Sequence, residues 1–83
     1  MNVTVKYFAS IREALGKSHE EVITQAITLH ELRDELIARG GSFSVALSRG
    51  RAVRMALNQV LCEETDKLTD GCEVAFFPPV TGG

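Results

Sequence analysis

Apolar and polar side chains alternate from the start of the chain, with Val3, Val5 and Tyr7 on one side and Thr4, Lys6 and Phe8 on the other. That period of two predicts a half-buried strand over residues 3–8. Ser10 and Glu13 then have the spacing of a capping box, Ile11, Ala14 and Leu15 supply a short apolar face, and Gly16 offers a stop, so a brief helix follows. Residues 19–24 begin polar at His19, Glu20 and Glu21 and end β-branched, which suits an edge or exposed strand. Thr28 and Glu31 repeat the capping-box spacing, and Leu29, Leu32, Leu36 and Ile37 recur at i, i+3, i+7 and i+8 as the stripe of the main helix. Arg39 suits the negative end of that helix, and Gly40-Gly41 end it. The short run 43–47 fits one further helical turn before Arg49-Gly50-Arg51 redirects the chain. Alternation returns over 52–57, with Val53, Met55 and Leu57 opposite Ala52, Arg54 and Ala56. Asn58-Gln59 makes a tight turn into a brief strand at Val60 and Leu61, and Asp70-Gly71 turns into a last strand over 72–77.

The order strand, strand, helix, strand, strand, strand suits an α+β domain in which a mixed five-stranded sheet packs on one main helix, with short extra helices. A chain of 83 residues buries only about 60–65% of its unfolded surface, so the core is thin. The hydrophobic share of 45% and charged share of 24% are those of a folded globular domain. A net charge of −2 with no basic stripe argues against nucleic acid as a partner. No apolar run approaches the ~20 residues that span a bilayer, and the N-terminus lacks the apolar segment of a signal peptide, so the cytosol is the expected compartment.

Residues 1–77 form the domain and 78–83 an extended tail. Pro78 and Pro79 cannot donate ladder hydrogen bonds and hold φ near about −65°, so the sheet stops after Phe77 and the departing backbone is stiff and extended. Six residues from Pro78 onward reach roughly 20 Å at ~3.3–3.6 Å each, far enough to enter another protein's pocket. Gly82 and Gly83 remove side chains from the last two positions, leaving a slender end whose carboxyl group, with a pKa near ~3.5, is an anion at neutral pH. Such a carboxylate can attack a phosphoryl centre, become an acyl adenylate and then accept a sulfur or amine nucleophile. Taken alone, a terminal Gly-Gly is more often the end of an ordinary frayed chain, and it is the surrounding eight residues that change the reading.

Other candidates are weaker. Cys62 and Cys72 make no CxxC pair, metal cluster or disulfide framework, and with Glu63, Glu64, Asp70 and Glu73 as their charged neighbours nothing favours a thiolate. They read as small reduced side chains filling sheet positions. His19 and His30 are isolated in sequence, have no carboxylate or cysteine grouping typical of a catalytic or metal site, and read as surface or helix-face histidines. No metal site, phosphate loop, catalytic triad or evident pocket appears, so the domain is expected to be catalytically incomplete alone.

The stretch Leu68-Thr69-Asp70-Gly71-Cys72-Glu73-Val74-Ala75-Phe76-Phe77-Pro78-Pro79-Val80-Thr81-Gly82-Gly83 closely resembles the C-terminus of the small, sulfur-carrying subunits of molybdopterin synthase. Residues Val5 to Glu13 and Leu57-Asn58-Gln59 resemble that family too. The resemblance implies a ubiquitin-like β-grasp fold. It also implies that Gly83 is adenylated by a ubiquitin-activating-like adenylyltransferase, which uses the ATP, and is then converted to a thiocarboxylate. The tail Pro78, Pro79, Val80, Thr81 and Gly82 would enter the large subunit, where sulfur passes to the cyclic pyranopterin precursor to form the dithiolene of molybdopterin. Two small subunits would flank a dimer of large ones, and the chain itself would bind no cofactor and no metal.

If the first and last strands are neighbours, as in a β-grasp sheet, Phe8, Leu61 and Phe77 form one apolar patch beside the root of the tail. Glu73 marks that face as solvent, and exposed apolar patches mark docking surfaces. The competing arrangement tucks these side chains into the core at bent strand ends. Three other roles share the Gly-Gly end: a sulfur carrier for thiamin thiazole synthesis, a ubiquitin-like protein modifier joined through Gly83 to lysine, and a binding module with an inert tail.

Overall fold

The computed structural model describes residues 1–79. Five strands and three helices follow in the order β1 (Asn2–Tyr7), α1 (Ala9–Leu15), β2 (His19–Ile23), α2 (Leu29–Ile37), α3 (Gly41–Ala46), β3 (Arg54–Leu57), β4 (Val60–Leu61) and β5 (Glu73–Phe77). The strands form one sheet in the order β2-β1-β5-β3-β4. β1 and β5 run parallel, and the other neighbours are antiparallel. The last strand therefore lies in the middle of the sheet.

The inner face carries the alternating residues foreseen from the sequence. Val3, Val5, Tyr7, Val74 and Phe76 are buried there, with Met55 from β3. They pack with Leu29, Leu32 and Leu36, the stripe of α2, and with Leu47 beyond α3 in one continuous core. Tyr7 stacks on Phe76 with ring centroids 6.3 Å apart and meets Phe43 edge-on at 6.1 Å.

Local chemistry explains most boundaries. The Thr28 hydroxyl accepts from the Glu31 N–H at 3.2 Å and caps α2. Asn58 and Gln59 both have positive φ, +50° and +69°, as the two central residues of a type I′ hairpin require. Asn58 also exchanges two hydrogen bonds with the backbone of Glu73, at 2.8 and 2.9 Å, which ties the hairpin to the start of β5.

Several expectations need correction. The Ser10–Glu13 capping box does not form. The chain turns at Ala9, with φ of +52°, so the Phe8 carbonyl accepts from the Ile11 and Arg12 N–H groups and Ser10 already lies inside the first turn. β1 accordingly ends at Tyr7, and Phe8 becomes the extended N-cap of α1. Arg39 lies beyond the Ala38 C-cap and serves another purpose, gripping both oxygens of Glu20 at 3.0 and 2.9 Å. β3 is shorter than its alternating pattern, because its ladder with β5 ends at the Arg54–Phe77 pair, where Pro78 and Pro79 can donate no further hydrogen bond and leave Ala52 and Val53 unpaired.

Candidate functional site

β5 delivers the tail from between two neighbours, and this fixes where the tail begins. Phe76 pairs with Tyr7 and Met55, Phe77 pairs with Arg54, and the Phe8 N–H donates to the Phe76 carbonyl at 3.1 Å. Pro78 and Pro79 follow, both half-buried. The remaining tail positions singled out from the sequence, Val80, Thr81, Gly82 and the reactive Gly83, lie outside the described residues.

The three residues of the expected docking patch share the outer face of the sheet. Register aligns Lys6, Ala75, Ala56 and Leu61 in one row across four strands, with Phe77 and Arg54 in the row nearer the tail and Phe8 just beyond β1. Leu61 is 72% exposed and Phe8 44%. Phe77 was expected to be exposed but is half-buried, since a side chain on a central strand has neighbours on both sides. Between these residues lie the short side chains of Ala75 and Ala56. These alanines make a low shelf between Phe77 and Leu61, whose strands stand two spacings of ~4.8 Å apart. Lys6 and Glu73 pair at 3.1 Å on the far side of the shelf and mark its polar rim.

Two depressions share Arg51, Ala52 and Val53 as lining, and one of them reaches the root of the tail, although none was evident from the sequence. One, of about 380 Å³, lies between Pro78-Pro79, Ser10 and Ile11 of α1, Ala46 of α3, and Arg51, Ala52 and Val53. The other, of about 490 Å³, opens where β3 and β4 diverge, with Arg51 and Arg54 on one wall and Glu63, Glu64 and Asp66 on the other. Neither Arg51 nor Arg54 was singled out in the sequence, because isolated arginines carry no motif.

The remaining titratable groups serve the fold. Burial, the hydrogen bond to Glu20 and the charge of Glu20 hold the Tyr7 hydroxyl well above the usual tyrosine range, against the charge of Arg39. Burial pushes Glu20 upward, but hydrogen bonds from Arg39 and Tyr7, with the charges of Arg39 and Lys17, outweigh it and leave the carboxyl below its ordinary value. Arg33 is 5% exposed and donates to the Leu47 and Ser48 carbonyls at 2.8 and 2.7 Å and to Glu64 at 2.8 Å. Arg49 joins this group through Glu64 and Asp34.

His30, isolated in sequence, stands 3.3 Å from Asp34 and 3.5 Å from Glu64. It is an exposed helix-face residue in an ion-pair cluster, and among the described residues no group of three or more potential ligands could hold a metal ion. Cys72 is buried and Cys62 half-buried, both with free thiols. Burial, then the charges of Asp66 and Glu63, push the Cys62 thiol above its ordinary value, the opposite of what a reactive thiolate needs. Among the described residues no helix is long and apolar enough to cross a membrane.

A mixed five-stranded sheet folded over one principal helix, with its last strand central and its C-terminus leaving from that strand, defines a ubiquitin-like β-grasp protein. Within that class the chain belongs to the ThiS family, which it matches over residues 5–83. It is 42% identical to the molybdopterin synthase sulfur carrier subunit of Escherichia coli K12, an alignment covering 98% of this chain and 99% of that one. A solved complex of subunits 1 and 2 of the molybdopterin-converting factor from Helicobacter pylori contains a chain 28% identical to this one, with full coverage of both and a TM-score of 0.70. The crystal structure of small archaeal modifier protein 1 of Haloferax volcanii, 21% identical and covering 95% of this chain and 98% of its own, has a TM-score of 0.75 and shares the fold.

Proposed function

We propose that this protein is the sulfur-carrier subunit of molybdopterin synthase and acts in the cytoplasm. The observation that carries this reading is end-to-end similarity to a protein of that name, 42% identical over nearly the whole of both chains. The physical requirements agree: an outer sheet face with apolar residues beside the root of the tail, and a six-residue extension ending in two glycines.

The chemistry begins at the Gly83 carboxylate. In a ubiquitin-activating-like adenylyltransferase, one of its oxygens attacks the α-phosphorus of ATP, and pyrophosphate leaves. Sulfide supplied by the sulfur source then adds to the acyl carbon and AMP departs, which leaves a thiocarboxylate. Activation is required because a bare carboxylate has no adequate leaving group. The loaded tail enters the large subunit of the synthase, with Pro78 and Pro79 holding it extended, Val80 and Thr81 setting its register, and Gly82 and Gly83 leaving the reacting carbon open to approach. The thiocarboxylate sulfur bonds to a carbon of the cyclic pyranopterin precursor, and water then cleaves the acyl–sulfur bond, leaving the sulfur on the precursor and regenerating the Gly83 carboxylate. Phe8, Leu61 and Phe77 supply most of the docking energy. Two such chains serve one dimer of large subunits.

The test is reconstitution with large subunit, activating enzyme, ATP, sulfur source and precursor. The full chain supports dithiolene formation and a variant lacking Gly83 does not. Dithiolene formation by the truncated chain would rule the reading out.

A further inference from the structure

The chain has nine lysines and arginines. Lys6, Lys17, Arg33, Arg39 and Arg49 lie within 4.0 Å of the chain's own carboxylates. Among the described residues, Arg12, Arg51, Arg54 and Lys67 have no such partner. Two of these four border the tail directly: Arg54 is the cross-strand neighbour of Phe77, and Arg51 lines the recess against Pro78 and Pro79. Among the described residues lining that recess, Arg51 is the only charged one. Carboxylates do line the far wall of the neighbouring groove, but Glu64 is committed to Arg33 and Arg49, while Asp66 accepts from the Glu63 N–H at 2.8 Å. No carboxylate oxygen among the described residues comes within pairing distance of either guanidinium.

From this we infer that Arg51 and Arg54 form a cationic contact that pairs with carboxylates at the mouth of the channel receiving the tail. The inference rests on the proposed role and adds the chemistry of the partner's rim. Any surface that closes over Phe77 and the tail root also covers these two guanidinium groups. An arginine stripped of water without an acceptor costs several kcal/mol, so the covering surface must supply acceptors, and carboxylates match the guanidinium fork in both charge and geometry. The chain carries a net charge of −2, so a partner's carboxylates are attracted only where a local cation such as these faces them. Rim pairs of this kind act mainly on association rate and orientation and weaken as salt rises.

The test measures association of the full chain with the large synthase subunit from the same cells, at low and high salt, for wild type, Arg51→Glu, Arg54→Glu and Lys67→Glu. Lys67, opposite Thr28 in an isolated bridge outside the five strands and absent from the lining of both depressions, is an equal charge change away from them. Each arginine reversal is expected to slow association about tenfold at low salt and about twofold to threefold at high salt, while Lys67→Glu stays within about twofold of wild type. Wild-type rates in both arginine variants, or an equal loss in Lys67→Glu, would overturn the inference while leaving the proposed function standing. Failure of the wild-type chain to bind the large subunit at all would overturn both.

Discussion

Phe8 and Phe76 are joined by a backbone hydrogen bond of 3.1 Å from the N–H of the first to the carbonyl of the second. It is made where β1 gives way to α1 and one residue before β5 ends, so it secures the sheet at the point from which the tail leaves. The two phenylalanines that follow one another there have opposite tasks. Phe76 is fully buried on the inner face and Phe77 half-buried on the outer one. Phe76→Ala is expected to cost about 3–5 kcal/mol, a large part of the stability of so small a domain. Phe77→Ala should cost less than about half as much, yet weaken binding to the large subunit at least tenfold. Urea melts and binding titrations of the two variants check this. Equal effects of both on stability would mean that Phe77 is a core residue.

Arg33 closes the second half of the chain onto α2. Its guanidinium reaches two carbonyls and Glu64 at once, in a geometry only a planar fork can satisfy. Arg33→Ala should destabilise by about 3–5 kcal/mol through the groups left unpaired in a buried site. Arg33→Lys should recover less than half of that, since one ammonium cannot span the same acceptors. Full rescue by lysine in a urea melt would show that charge alone matters.

The Glu20 carboxyl lies below its ordinary value in the folded state. A lowered folded value means that the unfolded chain takes up the proton first as pH falls. The stabilisation is therefore complete above the unfolded value of about 4.3, declines below it, and is gone once the folded group is also protonated. Glu20→Gln should be less stable than wild type by a constant margin from about pH 8 to about pH 5, and the margin should close below about pH 4. Chemical melts across that range measure it, and a margin that widened toward acid would reverse the sign of this account.

The alternation of Val3, Val5 and Tyr7 and the leucine stripe of α2 were legible because burial on one face leaves a period in the sequence. The Asn58-Gln59 turn and the Thr28 cap were legible because few residue types meet those local demands. The start of α1 was not, because Ala9 adopts a positive φ that its side chain does not advertise. The grouping of His30 with Glu64, and the meeting of Arg54 with Phe77, depend on pairings between distant segments that no local pattern records. The outer-face positions of Phe8, Leu61 and Phe77 followed from alternation once β1 and β5 were neighbours. The alanine shelf joining them required the β3–β5 register.

The central claim is that Gly83 carries sulfur, and intact mass spectrometry with terminal fragmentation tests it most directly. The chain is incubated with its activating enzyme, ATP and a sulfur source, beside a variant lacking Gly83. Fragmentation separates the exchange from methionine oxidation, which closely mimics its mass. The account predicts replacement of one oxygen by one sulfur, confined to the terminal glycine and absent from the variant. An unmodified terminus, with enzyme and sulfur source shown to be active on a known carrier, would contradict it.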